Sequence, residues 1–160
     1  MQSTFSNLTI VVSNLPRSIT FYCEALGFTA SKPPFHAGEA VEMLMEIPGV
    51  EIEGQFVGMG HLEIELVSFV APGVEGTPGE RPLNVLRGMH LTFQVGDIEA
   101  TARRIVEFGG SVHESTRTRL EFEDSSVGEY LYCFDPDGVR IELIRNSIRS
   151  PDQTEEVGVG

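Results

Sequence analysis

Hydrophobic and polar residues alternate in several short runs of the chain, and one such run occurs twice. The run that begins at Leu8 and the run that begins at Leu91 both place apolar residues at every second position, which is typical of a β-strand with one buried face. At a constant offset, Asn7-Leu8-Thr9-Ile10 aligns with His90-Leu91-Thr92-Phe93. The chain therefore contains an internal repeat of more than one strand's length.

In both copies the pattern predicts that a helix follows the strand. A cap-like residue, Asn14 or Asp97, comes directly after each strand, and apolar residues then recur with a spacing near 3.6 until a glycine, Gly27 or the pair Gly109-Gly110. Pro16 is well placed for the first turn of the first helix. The predicted apolar faces are Ile19, Tyr22, Cys23 and Leu26 in the first helix, and Ile98, Ala102, Ile105 and Val106 in the second.

Three further strands are predicted in each half, around residues 40–47, 51–57 and 61–69 in the first and 111–114, 129–134 and 139–145 in the second. Asp135-Pro136-Asp137-Gly138 predicts a tight turn between the last two. The fold class is therefore α+β, with two tandem βαβββ modules. The first module is assigned to residues 1–70, a Pro/Gly-rich linker to 71–88, the second module to 89–146 and a disordered tail to 147–160.

Composition narrows the partners that the protein can have. The chain of 160 residues has a formal net charge of -13 and only one lysine beside ten arginines, which argues against binding to nucleic acid or to an anionic membrane surface. No apolar run has membrane-spanning length, and the first residues do not resemble a secretion signal. Cys23 and Cys133 lie in apolar segments and are expected to be buried thiols, so the expected compartment is the cytoplasm.

The candidate chemistry lies on the polar faces of the repeated strands. His90 shares a face with Thr92 and Gln94, whereas Glu65 and Glu142 lie between apolar neighbours in the closing strands of the two halves. A carboxylate is costly to bury unless it is paired or bound to a metal. Each of these residues taken alone also fits a solvated strand position, but their equivalent places in two related units favour a shared cleft.

Three segments of the chain resemble the vicinal oxygen chelate superfamily, which includes glyoxalase I, methylmalonyl-CoA epimerase, extradiol dioxygenases and bleomycin-resistance proteins. They are LTIVVSNLPRSITFYCEALGF from Leu8, MHLTFQVGDIEA from Met89 and YLYCFDPDGVRIEL from Tyr130. The resemblance implies that the modules form an open, barrel-like mixed sheet around a cleft that holds a divalent metal. Position by position, the implied metal ligands are Asn7, Glu65, His90 and Glu142. Asn7 replaces the histidine of glyoxalase I, so it is a weak or absent ligand.

The activity implied by this resemblance is a lyase of the glyoxalase type, an isomerase or an epimerase. The implied cofactor is one ion of Mg, Mn, Fe, Co, Ni or Zn, which would bind a carbonyl or thioester substrate while Glu142 or Glu65 removes an adjacent proton. The resemblance also implies a homodimer. The alternatives are a metal-free, bleomycin-resistance-like binding protein and, with less support because it expects two histidines, an extradiol dioxygenase.

Two other groups of polar residues are assigned to the surface. His36, His61 and His113 are not in register with the repeated positions and are expected to lie outside the site. The segment 115–128 carries Arg117 and Arg119 and is predicted to be a loop, either solvated or placed over the mouth of the cleft.

Overall fold

The computed structural model describes residues 2–76, 82–86 and 88–147, which form two β-sheets with helices against them. The first sheet contains β1 (Leu8–Val11), β2 (Thr29–Ala30), β3 (Phe35–Ala37), β4 (Glu51–Met59) and β5 (Leu62–Ala71). The second contains β6 (His90–Gln94), β7 (Ser111–Glu121), β8 (Val127–Phe134) and β9 (Arg140–Ser147). The helices are α1 (Leu15–Thr20), α2 (Glu42–Met45) and α3 (Ile98–Glu107), together with a π-helical turn at Phe21–Ala25 and a 3₁₀ turn at Glu39–Val41.

The two sheets repeat one strand arrangement. The strand order is β1-β5-β4-β2 in the first sheet, where β3 also pairs with β4, and β6-β9-β8-β7 in the second. In both sheets the first strand of the half runs parallel to its last strand, while the other pairs are antiparallel. The register places Thr9 beside Glu65 and Thr92 beside Glu142. This confirms the predicted α+β class and its mixed sheets, while the module boundaries at residues 70, 88 and 146 remain predictions.

The helix starts follow the sequence signals closely. The side chain of Asn14 accepts a hydrogen bond from the Arg17 amide at 2.9 Å, and the side chain of Asp97 accepts one from the Ala100 amide at 2.9 Å. Each therefore satisfies a backbone donor that the first turn of a helix leaves without a partner. The predicted caps are confirmed in both copies, and so is the turn at residues 135–138 between β8 and β9.

The strand predicted around residues 40–47 is wrong, because this segment forms the 3₁₀ turn and α2. Val41 and Met45, four residues apart, pack on a small cluster around Val50 and Ile52, which is the spacing of one helix face. Met43 points outward and is 93% exposed. The segment is apolar on several sides, so the period of its hydrophobic positions did not distinguish a helix from a strand.

The loop predicted at residues 115–128 is also largely wrong, because β7 continues to Glu121 and pairs with β8. β7 is the outermost strand of its sheet, and such a strand carries polar side chains on both faces, which resembles a loop in sequence. Arg117 binds Glu99 and Glu114, at 2.5 and 2.9 Å. The arginine is thus engaged with neighbouring carboxylates near α3.

The two halves share one hydrophobic core. Phe21 and Tyr22 from the first half and Ile105 and Leu131 from the second belong to a single cluster of buried side chains. The ring of Phe28 also contacts the ring of Phe93, with 6.0 Å between centroids. Because apolar burial is shared in this way, each sheet is held in a defined position relative to the other.

Polar contacts at the turn between β8 and β9 also join the halves. The Tyr22 hydroxyl donates to the nearly buried carboxylate of Asp135 at 3.1 Å. Asp137 accepts hydrogen bonds from the backbone amide of Ser13 at 3.0 Å and from Arg17 at 2.6 Å. Burial alone would raise the pKa of Asp137, but the hydrogen bonds of Ser13 and the charge of Arg17 outweigh it and hold this pKa below its usual value.

We expect Asp137→Asn to lower the free energy of unfolding by about 1–2 kcal/mol at neutral pH, since it removes the charge from these hydrogen bonds. A carboxyl with a lowered pKa stabilises the fold above its unfolded pKa of about 3.9, and loses this effect as the pH falls through its folded pKa. The difference between the two proteins should therefore vanish at acidic pH. Urea unfolding from pH 7 to pH 2 measures it, and a difference that does not change with pH would contradict the assignment.

Candidate metal centre

The first half carries a cluster of three polar side chains on β1 and β5, named here half-site 1 and made of Asn7, Thr9 and Glu65. The Thr9 hydroxyl donates to Glu65 Oε2 at 2.7 Å, and Asn7 Nδ2 lies 3.1 Å from the same oxygen. Glu65 occupies the polar face of β5, whereas its neighbours Ile64 and Leu66 are fully buried in the core. The alternation of β5 thus directs the carboxylate away from the core.

The second half repeats this cluster on β6 and β9, named here half-site 2 and made of His90, Thr92 and Glu142. The Thr92 hydroxyl donates to Glu142 Oε2 at 2.9 Å, and His90 Nε2 lies 3.4 Å from that oxygen. The side chains of His90 and Glu142 are 36% and 19% exposed, so ligands can reach both from solvent. The internal repeat of the sequence therefore extends to the hydrogen bonds of the two clusters.

Two further residues surround half-site 2. Tyr132 lies opposite Glu142 in the register of β8 and β9, and its ring meets the His90 ring edge-on with 5.7 Å between centroids. Arg140 lies beside His90 and places its guanidinium 5.1 Å from the centre of the Tyr132 ring. Burial, followed by the charge of Glu142 and a hydrogen bond with it, raises the pKa of Tyr132, so its hydroxyl keeps its proton at neutral pH.

A groove of about 690 Å³ runs between the edge strands β1 and β6. Thr9 of half-site 1 and His90 of half-site 2 both line it, together with Arg140 and the turn at Asp137. Its volume is that of an ordinary small-molecule site. One residue of each half-site therefore lines the same cavity, and a molecule bound there would contact Thr9 and His90.

The structure brings the predicted ligands together as two pairs, Asn7 with Glu65 and His90 with Glu142. Across residues 2–76, 82–86 and 88–147, no three His, Cys, Asp or Glu side chains are close enough to hold one metal ion. His90 and Glu142 themselves fit a divalent ion, because two donor atoms about 2.1 Å from a tetrahedral ion lie about 3.4 Å apart. That separation is the one found between His90 Nε2 and Glu142 Oε2.

Asn7 is held within half-site 1 through its side-chain amide. Its amide nitrogen donates to both Glu65 Oε2 and Thr9 Oγ1, at 3.1 and 3.3 Å. An amide that is used in this way orients the carboxylate of Glu65. The prediction that Asn7 is a weak or absent ligand agrees with this geometry but remains a prediction.

Sequence reasoning placed Thr92 on the face of His90 but assigned no contact to it or to Thr9. Thr9 and Thr92 hold the two glutamates, and Tyr132 and Arg140 flank Glu142. A signal was present, because both threonines lie two residues after Asn7 and His90 in the aligned runs. The histidines assigned elsewhere are outside the half-sites: His36 and His61 are exposed, and His113 packs near Phe134, with 6.0 Å between ring centroids.

Comparison with solved structures shows the same fold in several bacterial proteins. A glyoxalase family protein from Bacillus cereus has a TM-score of 0.75 at 22% identity, covering 91% of this chain and 95% of its own. A glyoxalase/bleomycin resistance protein from Albidiferax ferrireducens has a TM-score of 0.54 at 20% identity, covering 89% and 99%. The fosfomycin resistance protein FosX from Listeria monocytogenes, solved with Mn(II) and sulfate, has a TM-score of 0.55 at 19% identity, covering 92% and 96%.

No curated protein matches the chain, and none of the helices in the described part is long and apolar enough to cross a membrane. A family model, by contrast, matches residues 4–143, nearly the whole of both halves. On this match, the chain belongs to the Glyoxalase/Bleomycin resistance protein/Dioxygenase superfamily.

Proposed function

We propose that this protein is a divalent-metal-dependent enzyme that removes a proton next to the carbonyl group of a small substrate. The observation that carries the proposal is the His90–Glu142 pair, whose donor atoms have a metal-compatible separation. His90 lines a groove that is also lined by Thr9, the hydrogen-bond partner of Glu65. The reaction class is that of an isomerase, an epimerase or a glyoxalase-type lyase. Support comes from the superfamily and from the fold shared with FosX, which was solved with Mn(II).

The residues that would hold the ion are His90, through Nε2, and Glu142. Such an ion, one of Mg, Mn, Fe, Co, Ni or Zn, supplies a Lewis acid that polarises a carbonyl oxygen when it is bound. Thr92 holds Glu142 by donating to its Oε2, and the ring of Tyr132 supports the imidazole of His90. These contacts reduce the freedom of both side chains before any substrate arrives, which is what orientation by neighbouring groups achieves at metal sites.

Glu65 is the residue that we assign as the base. Thr9 and Asn7 both donate to its Oε2, so the carboxylate is held in one orientation, and Oε1 is the atom assigned to accept the substrate proton. A carboxylate within about 3 Å of an acidic C–H proton can remove it. Glu142, on the other sheet, is the second candidate for this role when it does not hold the ion.

The second candidate is a metal-free binding protein that sequesters a small molecule. It is favoured by one observation, the mostly apolar lining of the groove between β1 and β6. Apolar grooves of this volume bind hydrophobic ligands without chemistry. An extradiol dioxygenase has less support, because His90 is the only histidine in the two half-sites.

We also propose that the substrate is a small carbonyl or thioester compound, that the protein forms a homodimer and that it acts in the cytoplasm. Members of this superfamily generally bind small molecules and often form dimers. The strong negative charge disfavours nucleic acids and anionic membranes as partners.

The experiment that tests the proposal is deuterium uptake from D₂O into a panel of carbonyl, hemithioacetal and thioester compounds, followed by mass spectrometry. The protein is reconstituted with each of the six metals in turn, and a chelator-treated sample serves as the control. We expect uptake at the carbon next to the carbonyl that depends on the metal and stops with the chelator. Absence of uptake with every metal, together with retention of one of the compounds, would favour the binding protein.

A further inference from the structure

We propose that the groove between β1 and β6 binds ligands with an apolar body and an oxyanion, a carboxylate or phosphate, which Arg140 binds. The inference rests on the proposed function for the position of the reacting carbonyl at half-site 2. The oxyanion site itself depends only on the groove and on Arg140.

The groove combines an apolar lining with little charge. Its apolar residues include Leu8, Ile10, Val11, Leu83, Met89 and Val139. Two of them are unusually exposed, with Met89 at 68% and Leu83 at 51%. Covering exposed apolar surface of this kind is favourable at about 25 cal/mol per Å². A hydrocarbon or aryl group on the ligand would therefore bind here.

Arg140 is the only arginine or lysine among the described residues that line the groove. Asp137, which also lines it, is bound to Ser13 and Arg17, so its charge is balanced by another cation. The guanidinium of Arg140 stacks over the rings of Tyr132 and Phe134, 5.1 and 4.8 Å from their centres. Stacking fixes the plane of an arginine and directs its N–H edges sideways, the geometry that binds carboxylates and phosphates.

The internal repeat shows that the fold does not require an arginine at this position. In the aligned closing strands, Ile64-Glu65-Leu66 matches Ile141-Glu142-Leu143, so Arg140 corresponds to Glu63. Glu63 carries the opposite charge and pairs with Lys32 at 2.5 Å. The aromatic neighbour is kept in both halves, since Phe56 lies opposite Glu65 as Tyr132 lies opposite Glu142. A cation lies against this ring in both halves, because Lys32 Nζ is 3.9 Å from the centre of the Phe56 ring. Only in half-site 2 does the cation belong to the closing strand and line the groove.

The spacing along β9 limits the ligand further. Arg140 and Glu142 share one face and are two residues apart, which corresponds to about 7 Å along a strand. An oxyanion on Arg140 would thus lie a few bonds from a carbonyl group at the His90–Glu142 pair. The substrate class is a carbonyl or thioester compound that carries a carboxylate or phosphate close to the reacting carbon. In a protein with a net charge of -13, such an anion needs a local cation of this kind.

The test measures binding of three matched probes to chelator-treated protein by ¹H–¹⁵N NMR. The probes are 4-phenylbutanoate, 3-phenylpropyl phosphate and the neutral 4-phenylbutanamide. We expect at least one anionic probe to bind about tenfold more tightly than the amide, as a charge-assisted bidentate contact implies, with shifts at the amides of Met89 and Leu91. Whichever anion binds more tightly then identifies the oxyanion. Arg140→Met should abolish the preference, Arg140→Lys should keep part of it, and Arg145→Met, on the same strand but outside the groove, should leave it unchanged.

The outcomes separate this inference from the proposed function. Equal affinity for all three probes, or an anion preference that survives in folded Arg140→Met, would overturn the oxyanion site even if the protein binds metal normally. No shifts at Met89 and Leu91 with any probe, as expected if a second copy of the chain covers the groove, would also overturn it. An anion preference without any metal binding would instead support the oxyanion site and refute the metal-dependent enzyme. Because the probes are tested without metal, an ion cannot itself create the preference.

Discussion

Glu65→Gln should slow proton exchange by about 10²- to 10⁴-fold while the protein keeps its metal ion. The substitution preserves the shape of the side chain and an oxygen that can accept from Thr9, but it removes the group that accepts the proton. General-base catalysis contributes about 10²- to 10⁴-fold to rates, so the exchange rate should fall by about that factor. Metal content, measured on the same sample by inductively coupled plasma mass spectrometry, should stay near the value of the unmodified protein.

The matched control for this variant is Glu63→Gln, which changes the same residue type two positions away in β5. Glu63 binds Ser31 and Lys32, which lie outside half-site 1. The control should exchange protons at the normal rate. Loss of metal from Glu65→Gln alone would show that Glu65 is a ligand, while a normal exchange rate in this variant would assign the base to another residue.

His90→Ala should weaken metal binding by about 100-fold or more, and Glu142→Gln should weaken it in the same direction. Replacing residues that only support metal ligands already costs about 10- to 100-fold, so loss of one of two protein ligands is expected to cost at least as much. Competition with a chromophoric chelator measures the dissociation constants. Proton exchange should fall with metal occupancy and recover in part at high metal concentration.

The controls for this pair are His36→Ala and Glu129→Gln, both remote from the half-sites. His36 is exposed on β3, and Glu129 on β8 binds Arg145 at 3.0 Å. Neither should change metal affinity. If His90→Ala and Glu142→Gln bind metal as tightly as the unmodified protein, any bound ion is held by other residues. The His90–Glu142 pair is then only a polar contact between two side chains.

The parts of the fold that sequence could predict were those encoded by neighbouring residues. The two-residue period of β6 placed His90 and Thr92 on one face, and Asn14 and Asp97 marked the helix starts through short-range hydrogen bonds. The predictions were wrong for a related reason at residues 40–47 and at the edge strand β7. Residues 40–47 have apolar side chains on several sides of a short helix, and β7 has polar side chains on both faces of an edge strand. Neither segment therefore shows a clear period of hydrophobic positions.

The parts of the site that sequence could not predict depend on register between distant strands. Thr9 and Glu65 are 56 residues apart, and only the parallel pairing of β1 with β5 shows that they bind each other. The same holds for Tyr132, which reaches Glu142 through the pairing of β8 with β9. Family resemblance supplied the four candidate ligands, but it did not reveal that they form two separate pairs, Asn7 with Glu65 and His90 with Glu142.

The measurement that tests the metal centre most directly is a crystal structure of the protein grown with Mn(II), with an anomalous difference map recorded near the manganese edge. We expect one peak per chain, about 2.0–2.3 Å from His90 Nε2 and from a carboxylate oxygen of Glu142. A groove in which well-ordered His90 and Glu142 show no peak between them, or a peak only at other residues, would contradict it.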